Sequence, residues 1–298
     1  MSIFATINNY GKMVKFSHTL FALPFAGLAS VIAILQSSLS LNDLMWKLLL
    51  ILICMFTARS SAMGFNRYID RDFDKANPRT ANREIPSGVL SPQSVLGFTI
   101  LFSILFLIAS FLLSPLCFYL AIPTLFIILF YSYSKRFTVF CHFILGLGIG
   151  IAPSGAWIAI KNELELIPAL WSFGLMFHIA GFDILYSSQD VEIDKKLGLY
   201  SIPSKLGIPK AFLIAKVCHI IAFSLFVWAG YLANLQTFYF VFMAIIGVLF
   251  TLEHLLVTPT NLEKLPIAFF HINASISIVL FLGILLDTWK DILQKFVG

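Results

Sequence analysis

The feature that most constrains this chain is a series of apolar segments, each near 20 residues long, that follow one another almost without interruption. A helix needs about 20 residues to cross the hydrocarbon core of a bilayer, where every backbone N–H and C=O must be paired within the segment. On that scale nine spans are expected, at roughly 17–36, 44–65, 94–113, 115–134, 140–160, 166–187, 211–233, 236–257 and 266–286. Composition agrees: charged residues are 12% of the 298 and mean hydropathy is +0.91, whereas a soluble domain carries about 25% charged residues. The expectation is an all-α integral membrane protein, a single domain over residues 1–298 with nine helices around a central cavity. The first 15 residues are polar and mixed and lack a cleavable-signal pattern, so the first apolar run reads as a true span.

Most remaining features have structural readings. Cys54, Cys117, Cys141 and Cys218 lie in or beside apolar segments with no CxxC pair, which makes them helix thiols rather than a disulfide framework or zinc site. The "SPL" at 114–116 reads as a tight turn between the third and fourth spans, and "GLGIG" at 146–150 as a close helix-packing seam. With the N-terminus in the cytoplasm, the inner segments hold fourteen Lys and Arg, against Lys47, Lys161, Lys290 and Lys295 outside. That asymmetry orients the chain with its N-terminus inside. It also accounts for the net charge of +5, so nucleic acid is not an expected partner.

Topology explains the basic residues but not the acidic ones. In "NRYIDRDFDKANPRTANREIPSG", residues 66–88, Asp70 and Asp74 are four apart and share one face of a helical extension of the second span. Asn66 joins that stripe, while Asp72 points elsewhere. The segment "YSSQDVEIDKKLG" repeats the arrangement at the end of the sixth span, with Tyr186, Asp190 and Asp194 at intervals of four. Like charges at this spacing repel by a few tenths of a kcal/mol, roughly, so two such pairs entering one leaflet call for a divalent cation. Mg²⁺ takes one or two carboxylates together with waters and phosphate oxygens, so the four aspartates read as metal ligands that grip a diphosphate. The plainer alternative is a pair of charged loops neutralised by neighbouring Lys and Arg. Cations at the same level favour the site: Arg59, seven residues before Asn66 inside the second span, and Tyr131 with Lys135 in "YSYSKR". A guanidinium or ammonium there suits a diphosphate.

With these motifs in view, the chain resembles the UbiA family of intramembrane prenyltransferases over most of its length. The family pattern NDxxDxxxD is matched by Asn66, Asp70 and Asp74, and RxxxRxxPxG by Arg79, Arg83, Pro86 and Gly88. YxxxK is matched by Tyr131 and Lys135, and the second DxxxD by Asp190 and Asp194. One departure is Arg67, which stands where many members have Asp, so the role of that carboxylate is not carried over. Another is "KFSHTLFALP" at 15–24, where His18 and Thr19 break the Arg-x-x-(Lys/Arg)-Pro pattern common in the ubiquinone branch. Both departures are similar to the menaquinone (MqnP-like) branch, whose members often carry the label 4-hydroxybenzoate polyprenyltransferase.

The resemblance implies Mg²⁺-dependent transfer of a polyprenyl group from its diphosphate to an aromatic hydroxy-acid. The preferred acceptor is 1,4-dihydroxy-6-naphthoate, in menaquinone biosynthesis, with 4-hydroxybenzoate of ubiquinone biosynthesis as the alternative. It places the enzyme in the bacterial inner membrane with its site near the cytoplasmic face. Asp70, Asp74, Asp190 and Asp194 would hold the metal. Asn66, Arg59, Arg79, Arg83, Lys135 and Tyr186 would bind diphosphate, and Tyr131 would bond it or shield the allylic cation. Arg136 is the candidate for the acceptor carboxylate, Glu253 and His254 are further acceptor candidates, and Asp183 could face the cavity. His142, His178 and His219 read as helix contacts. The base that removes the ring proton is left unassigned. A secondary transporter is the reading from a different class, but its ionisable groups would lie near the bilayer midplane rather than at span ends.

Overall fold

The computed structural model describes residues 3–15 and 21–297, and among them the regular structure is helical apart from one isolated bridge between Thr258 and Asn261. The elements are α1 (Ile3–Val14), α2 (Leu23–Leu35), α3 (Leu41–Ile69), α4 (Arg71–Ala76), α5 (Pro92–Leu113) and α6 (Pro115–Ser134). Then come α7 (Cys141–Gly150), α8 (Ala152–Lys161), α9 (Leu166–Ser187), α10 (Val191–Lys196) and α11 (Ile202–Leu206). The last are α12 (Ile208–Leu232), α13 (Thr237–Leu256), α14 (Leu265–Ile267) and α15 (Asn273–Val297).

Eight of the nine expected spans have a segment of the described chain long and apolar enough to cross a membrane. The shortfall lies at the first span. There α2 has 13 residues, too few to cross alone, and residues 16–20, which hold His18 and Thr19, lie outside the described residues. Successive spans pack on one another, and α15 returns against α2 to close the bundle. The outer face carries exposed apolar side chains such as Leu101, Ile104, Phe111, Phe126 and Leu255, as expected where the solvent is lipid.

Local chemistry sets the joints. Ser114 caps α6 by accepting the Cys117 N–H at 3.1 Å, with Pro115 at the first helical position, which yields the tight α5–α6 turn. The span Cys141–Lys161 breaks at Ile151, between α7 and α8 and just before Pro153, whose missing N–H cannot continue the ladder. In α7, Gly146 and Gly150 meet the backbone of α9: a Cβ at Gly146 would overlap the Met176 carbonyl, and one at Gly150 would lie 2.7 Å from Ser172 O. "GLGIG" is therefore the packing seam its composition indicates.

Candidate active site

Two interrupted helices carry the aspartates into one cavity. α3 stops at Ile69, Asp70 sits at φ −88°, ψ 5°, and α4 resumes at Arg71. The second span thus does not extend continuously through the motif as expected. Spacing survives the break because Asp70 N–H bonds Asn66 O (2.9 Å) and Asp74 N–H bonds Asp70 O (2.7 Å). Asp72 is turned to solvent, its side chain 84% exposed. On the other side, α9 passes through a short 3₁₀ turn, Ser188–Asp190, into α10. Asn66, Asp70, Asp74, Arg79, Arg83, Tyr131, Lys135, Arg136, Tyr186, Asp190 and Asp194 all line the same cavity.

Each carboxylate is held differently. Asp190 accepts a two-pronged bond from Arg79, Nε to Oδ1 at 3.0 Å and Nη2 to Oδ2 at 2.6 Å, and a third from Asn77 Nδ2 at 3.2 Å. Arg79 also donates to the Tyr186 hydroxyl at 3.2 Å and lies over its ring. Arg83 Nη1 donates to Asp74 Oδ1 at 2.6 Å, while Asp74 Oδ2 is buried with no hydrogen-bond partner. Asp194 Oδ2 accepts from Ser201 at 2.9 Å. Asp70 Oδ2 accepts from Asn66 Nδ2 at 2.8 Å, and Arg136 stands 3.5 Å from its other oxygen. Burial raises the pKa of Asp70 to about 6, and the nearby Lys135 charge limits the rise. Lys135 pairs with no carboxylate within 4.0 Å among the described residues. Burial opposes its charge, but surrounding acidic groups, Asp183 and Asp194 among them, more than offset this and raise its pKa.

The donors suit a hard cation. They are carboxylate oxygens, and Asp74 Oδ2, buried without a hydrogen-bond partner among the described residues, is a hard oxygen with its acceptor capacity unused. No three acidic, His or Cys side chains among the described residues form a ready-made cage. Mg²⁺ keeps waters and takes phosphate oxygens beside one or two carboxylates, so it does not need such a cage.

Some expected residues are placed elsewhere. Arg59 does not line the cavity: it donates to the Lys15 carbonyl at 3.1 Å. Seven residues is two helical turns, which preserves the face but displaces a side chain by about 10 Å along the axis. Arg136 lines the cavity, yet it is committed to the wall. Its Nη2 donates to the Ile69 carbonyl at the end of α3 (2.9 Å), and its guanidinium lies over Phe73 and Tyr133. It therefore orients Asp70. Glu253 and His254 lie off the cavity, bonded to Asn273 and His219 respectively. Arg67 is 3% exposed and also off the cavity, so the departure from the family pattern falls outside its lining. His142 is more than a helix contact, since its Nδ1 is 2.7 Å from Asp183, which does face the cavity. Asn77 and Ser201 were not foreseen as partners of Asp190 and Asp194; polar residues trailing each motif were the available signal.

The family model described as the UbiA prenyltransferase family matches residues 22–275. A 4-hydroxybenzoate octaprenyltransferase of Polynucleobacter necessarius subsp. necessarius is 30% identical over 244 residues, which span 80% of this chain and 83% of that protein. One from Aromatoleum aromaticum is 27% identical over 231 residues, 77% of each chain. Among solved structures, the apo UbiA homologue from Aeropyrum pernix K1 superposes with a TM-score of 0.78 at 26% identity, covering 91% of this chain and 98% of that one. The UbiA homologue from Archaeoglobus fulgidus bound to GPP and Mg²⁺ shares the fold, with a TM-score of 0.65 at 19% identity over 93% of this chain and 99% of that one.

Proposed function

The chain belongs to the UbiA prenyltransferase family, and from that premise we propose that it transfers a polyprenyl group from its diphosphate to a small aromatic hydroxy-acid in quinone biosynthesis, using Mg²⁺. What carries this reading is one cavity where aspartates from two distant segments meet Arg79, Arg83 and Lys135. Asp70, Asp74, Asp190 and Asp194 hold the metal, which when bound supplies positive charge against the leaving diphosphate.

The other residues act on the diphosphate directly. Arg79 and Arg83, paired here with Asp190 and Asp74, would offer their guanidinium donors to the phosphate oxygens. Lys135, with no carboxylate of its own, donates to the oxygens on which charge develops. Asn66 orients a phosphate oxygen or bound water. Tyr131 and Tyr186 present a hydroxyl to the diphosphate or a ring face to the allylic cation. The acceptor ring then attacks that cation. Both prenyl donor and product are lipids, which is why the cavity belongs to a bilayer protein.

Nine spans with a cytoplasmic N-terminus, in a bacterial inner membrane, form the accompanying topology in a single domain, supported by the basic residues concentrated on one side. The favoured acceptor is 1,4-dihydroxy-6-naphthoate, supported by Arg67 and by the "KFSHTLFALP" departure. The alternative is 4-hydroxybenzoate, favoured by the names of the relatives. The deciding experiment gives purified protein in lipid nanodiscs Mg²⁺, a polyprenyl diphosphate and each acceptor separately. Product from the naphthoate alone supports the favoured pathway, and product from the benzoate alone replaces it. Activity that survives metal chelation, or that is unchanged in Asp70→Ala and Asp190→Ala, overturns the site.

A further inference from the structure

One carboxylate in the cavity belongs to neither aspartate pair. Asp183 lies on α9, one turn before Tyr186 and two before Asp190, so it shares their face but sits about 10 Å deeper than Asp190 along the helix. It lines the cavity, and its side chain keeps 12% exposure. Its Oδ2 is 2.7 Å from Nδ1 of His142, a residue with no exposed surface.

The hydrogen bond on the far side of that imidazole defines its state. His142 Nε2 faces the backbone N–H of Ile202 at 3.2 Å, and a backbone amide only donates. Nε2 therefore accepts and carries no hydrogen. The ring hydrogen is on Nδ1, and a neutral imidazole donates it to Asp183 Oδ2. Asp183 Oδ1 makes no hydrogen bond among the described residues, and it is not among their buried, unpartnered oxygens. One oxygen is thus pinned by the protein while the other is open. Tyr131 from α6 and Lys135 just after it line the same cavity, with Ser187 and Tyr186 from α9.

Depth gives this arrangement a use. If diphosphate is gripped at the level of Asp70, Asp74, Asp190 and Asp194, the carbon it leaves, and the ring that attacks that carbon, lie toward the apolar side. Asp183 is the carboxylate on that side. We propose that Asp183 is the catalytic base that accepts the ring proton of the acceptor, and that His142 is the positioning residue that keeps its free oxygen turned to the substrate.

The bonds balance as follows. The allylic C–O bond breaks, and its electron pair leaves on the diphosphate. A ring carbon beside a hydroxyl group supplies the pair for the new C–C bond. The C–H bond on that carbon then breaks, its electrons restore the aromatic ring, and the proton passes to Asp183 Oδ1. No oxidant or reductant is required.

This assignment rests on the prenyl-transfer reading of the same cavity, and the test separates the two. The full chain in nanodiscs is assayed with Mg²⁺, a short allylic diphosphate, and 4-hydroxybenzoate or 1,4-dihydroxy-6-naphthoate, each with hydrogen or deuterium at the reacting ring positions. The parent should show an isotope effect near unity, because proton loss from a prenylated ring is fast when a base is present. Asp183→Asn should lose about 100-fold or more in kcat. It should also acquire a primary deuterium isotope effect while the KM for the diphosphate stays unchanged. His142→Gln, which can still donate to Asp183 and accept from Ile202, should retain most activity. His142→Leu should fall toward the Asp183→Asn level and gain the same isotope effect. An Asp183→Asn enzyme that is slow without an isotope effect, that keeps parent kcat, or that loses diphosphate affinity overturns this assignment alone. A parent that forms no product from either acceptor removes the acceptor reading and this assignment with it.

Discussion

Lys135 offers the sharpest test of the proposed diphosphate site, because its ammonium has no carboxylate within 4.0 Å among the described residues. Lys135→Met keeps the length and apolar stem of the side chain and removes only the charge. A unit charge about 4 Å from the charge developing on the leaving group is worth about 4 kcal/mol at an effective dielectric of about 20. At about 1.4 kcal/mol per factor of ten this approaches a thousandfold, and water entering the vacated space returns part of it. The expected loss in kcat is about 100- to 1000-fold. Because the surrounding acidic groups raise the Lys135 pKa, its charge favours the folded state, so thermal stability should fall modestly and the assay is run well below the Tm of the variant. The variant should be assayed in single turnovers at saturating Mg²⁺ and at alkaline pH. Lys135 helps hold the Asp70 pKa down to about 6, so without it Asp70 would take up a proton at higher pH, and that effect must be kept separate. A kcat within about threefold of the parent, less than 1 kcal/mol of barrier, would refute the assignment. A change confined to KM would make Lys135 a binding residue only.

Three further outcomes follow from the geometry. Asp70 has a raised pKa of about 6 without a cation, and metal binds the ionised form, so apparent Mg²⁺ affinity should be flat above that pH and fall about tenfold per unit below it; an Mg²⁺ titration at several pH values reads this directly. Arg83→Gln leaves the buried Asp74 without its one charged donor among the described residues, and a loss of about 2 kcal/mol is expected, visible as a lower Tm. Mg²⁺ should restore part of that loss, and no metal-dependent recovery would argue against Asp74 as a ligand. Gly146→Ala drives a methyl into the Met176 carbonyl and should cost about 1–3 kcal/mol by thermal unfolding, whereas Gly148→Ala meets the Ile128 side chain, which can yield, and should cost less.

What could be read from the sequence follows a physical division. Hydropathy reports which segments are solvated by lipid, so the later spans emerge close to their expected limits, and the i, i+4 rule places Asp70 with Asp74 and Asp190 with Asp194 in one cavity. Periodicity reports face and not depth, so it groups Arg59 with Asn66 although Arg59 lies off the cavity. Neither rule reports partners far apart in the chain. Arg79 and Asp190 are 111 residues apart, and His142 and Asp183 are 41 apart. Both pairs depend on how α7, α9 and the segment after α4 are brought together. The break at Asp70 was hidden for a different reason. α3 and α4 carry ordinary helix-forming residues up to and beyond it, and the interruption uses a single residue while the flanking hydrogen bonds persist.

That same difference between face and depth explains how one stretch of chain can organise a reaction. Asp194, Asp190, Tyr186 and Asp183 follow one another at intervals of four, four and three residues, and all four line the cavity. Along the proposed reaction they are, in order from the interface inward, metal ligand, metal ligand, shield for the allylic carbon, and acceptor of the ring proton. The opposite wall repeats the outer levels with Asp70 and Asp74 and adds Lys135, which pairs with no carboxylate among the described residues. A helix shift of one residue would turn this stripe by about 100°, out of the cavity. The close α7–α9 approach allowed by Gly146 and Gly150 therefore does more than pack the bundle. It fixes the rotation and height of α9, and it sets His142, four residues before Gly146, against Asp183, seven after Met176. A substitution in that seam should consequently reduce kcat by misaligning Asp183 even where the protein still folds and still binds diphosphate.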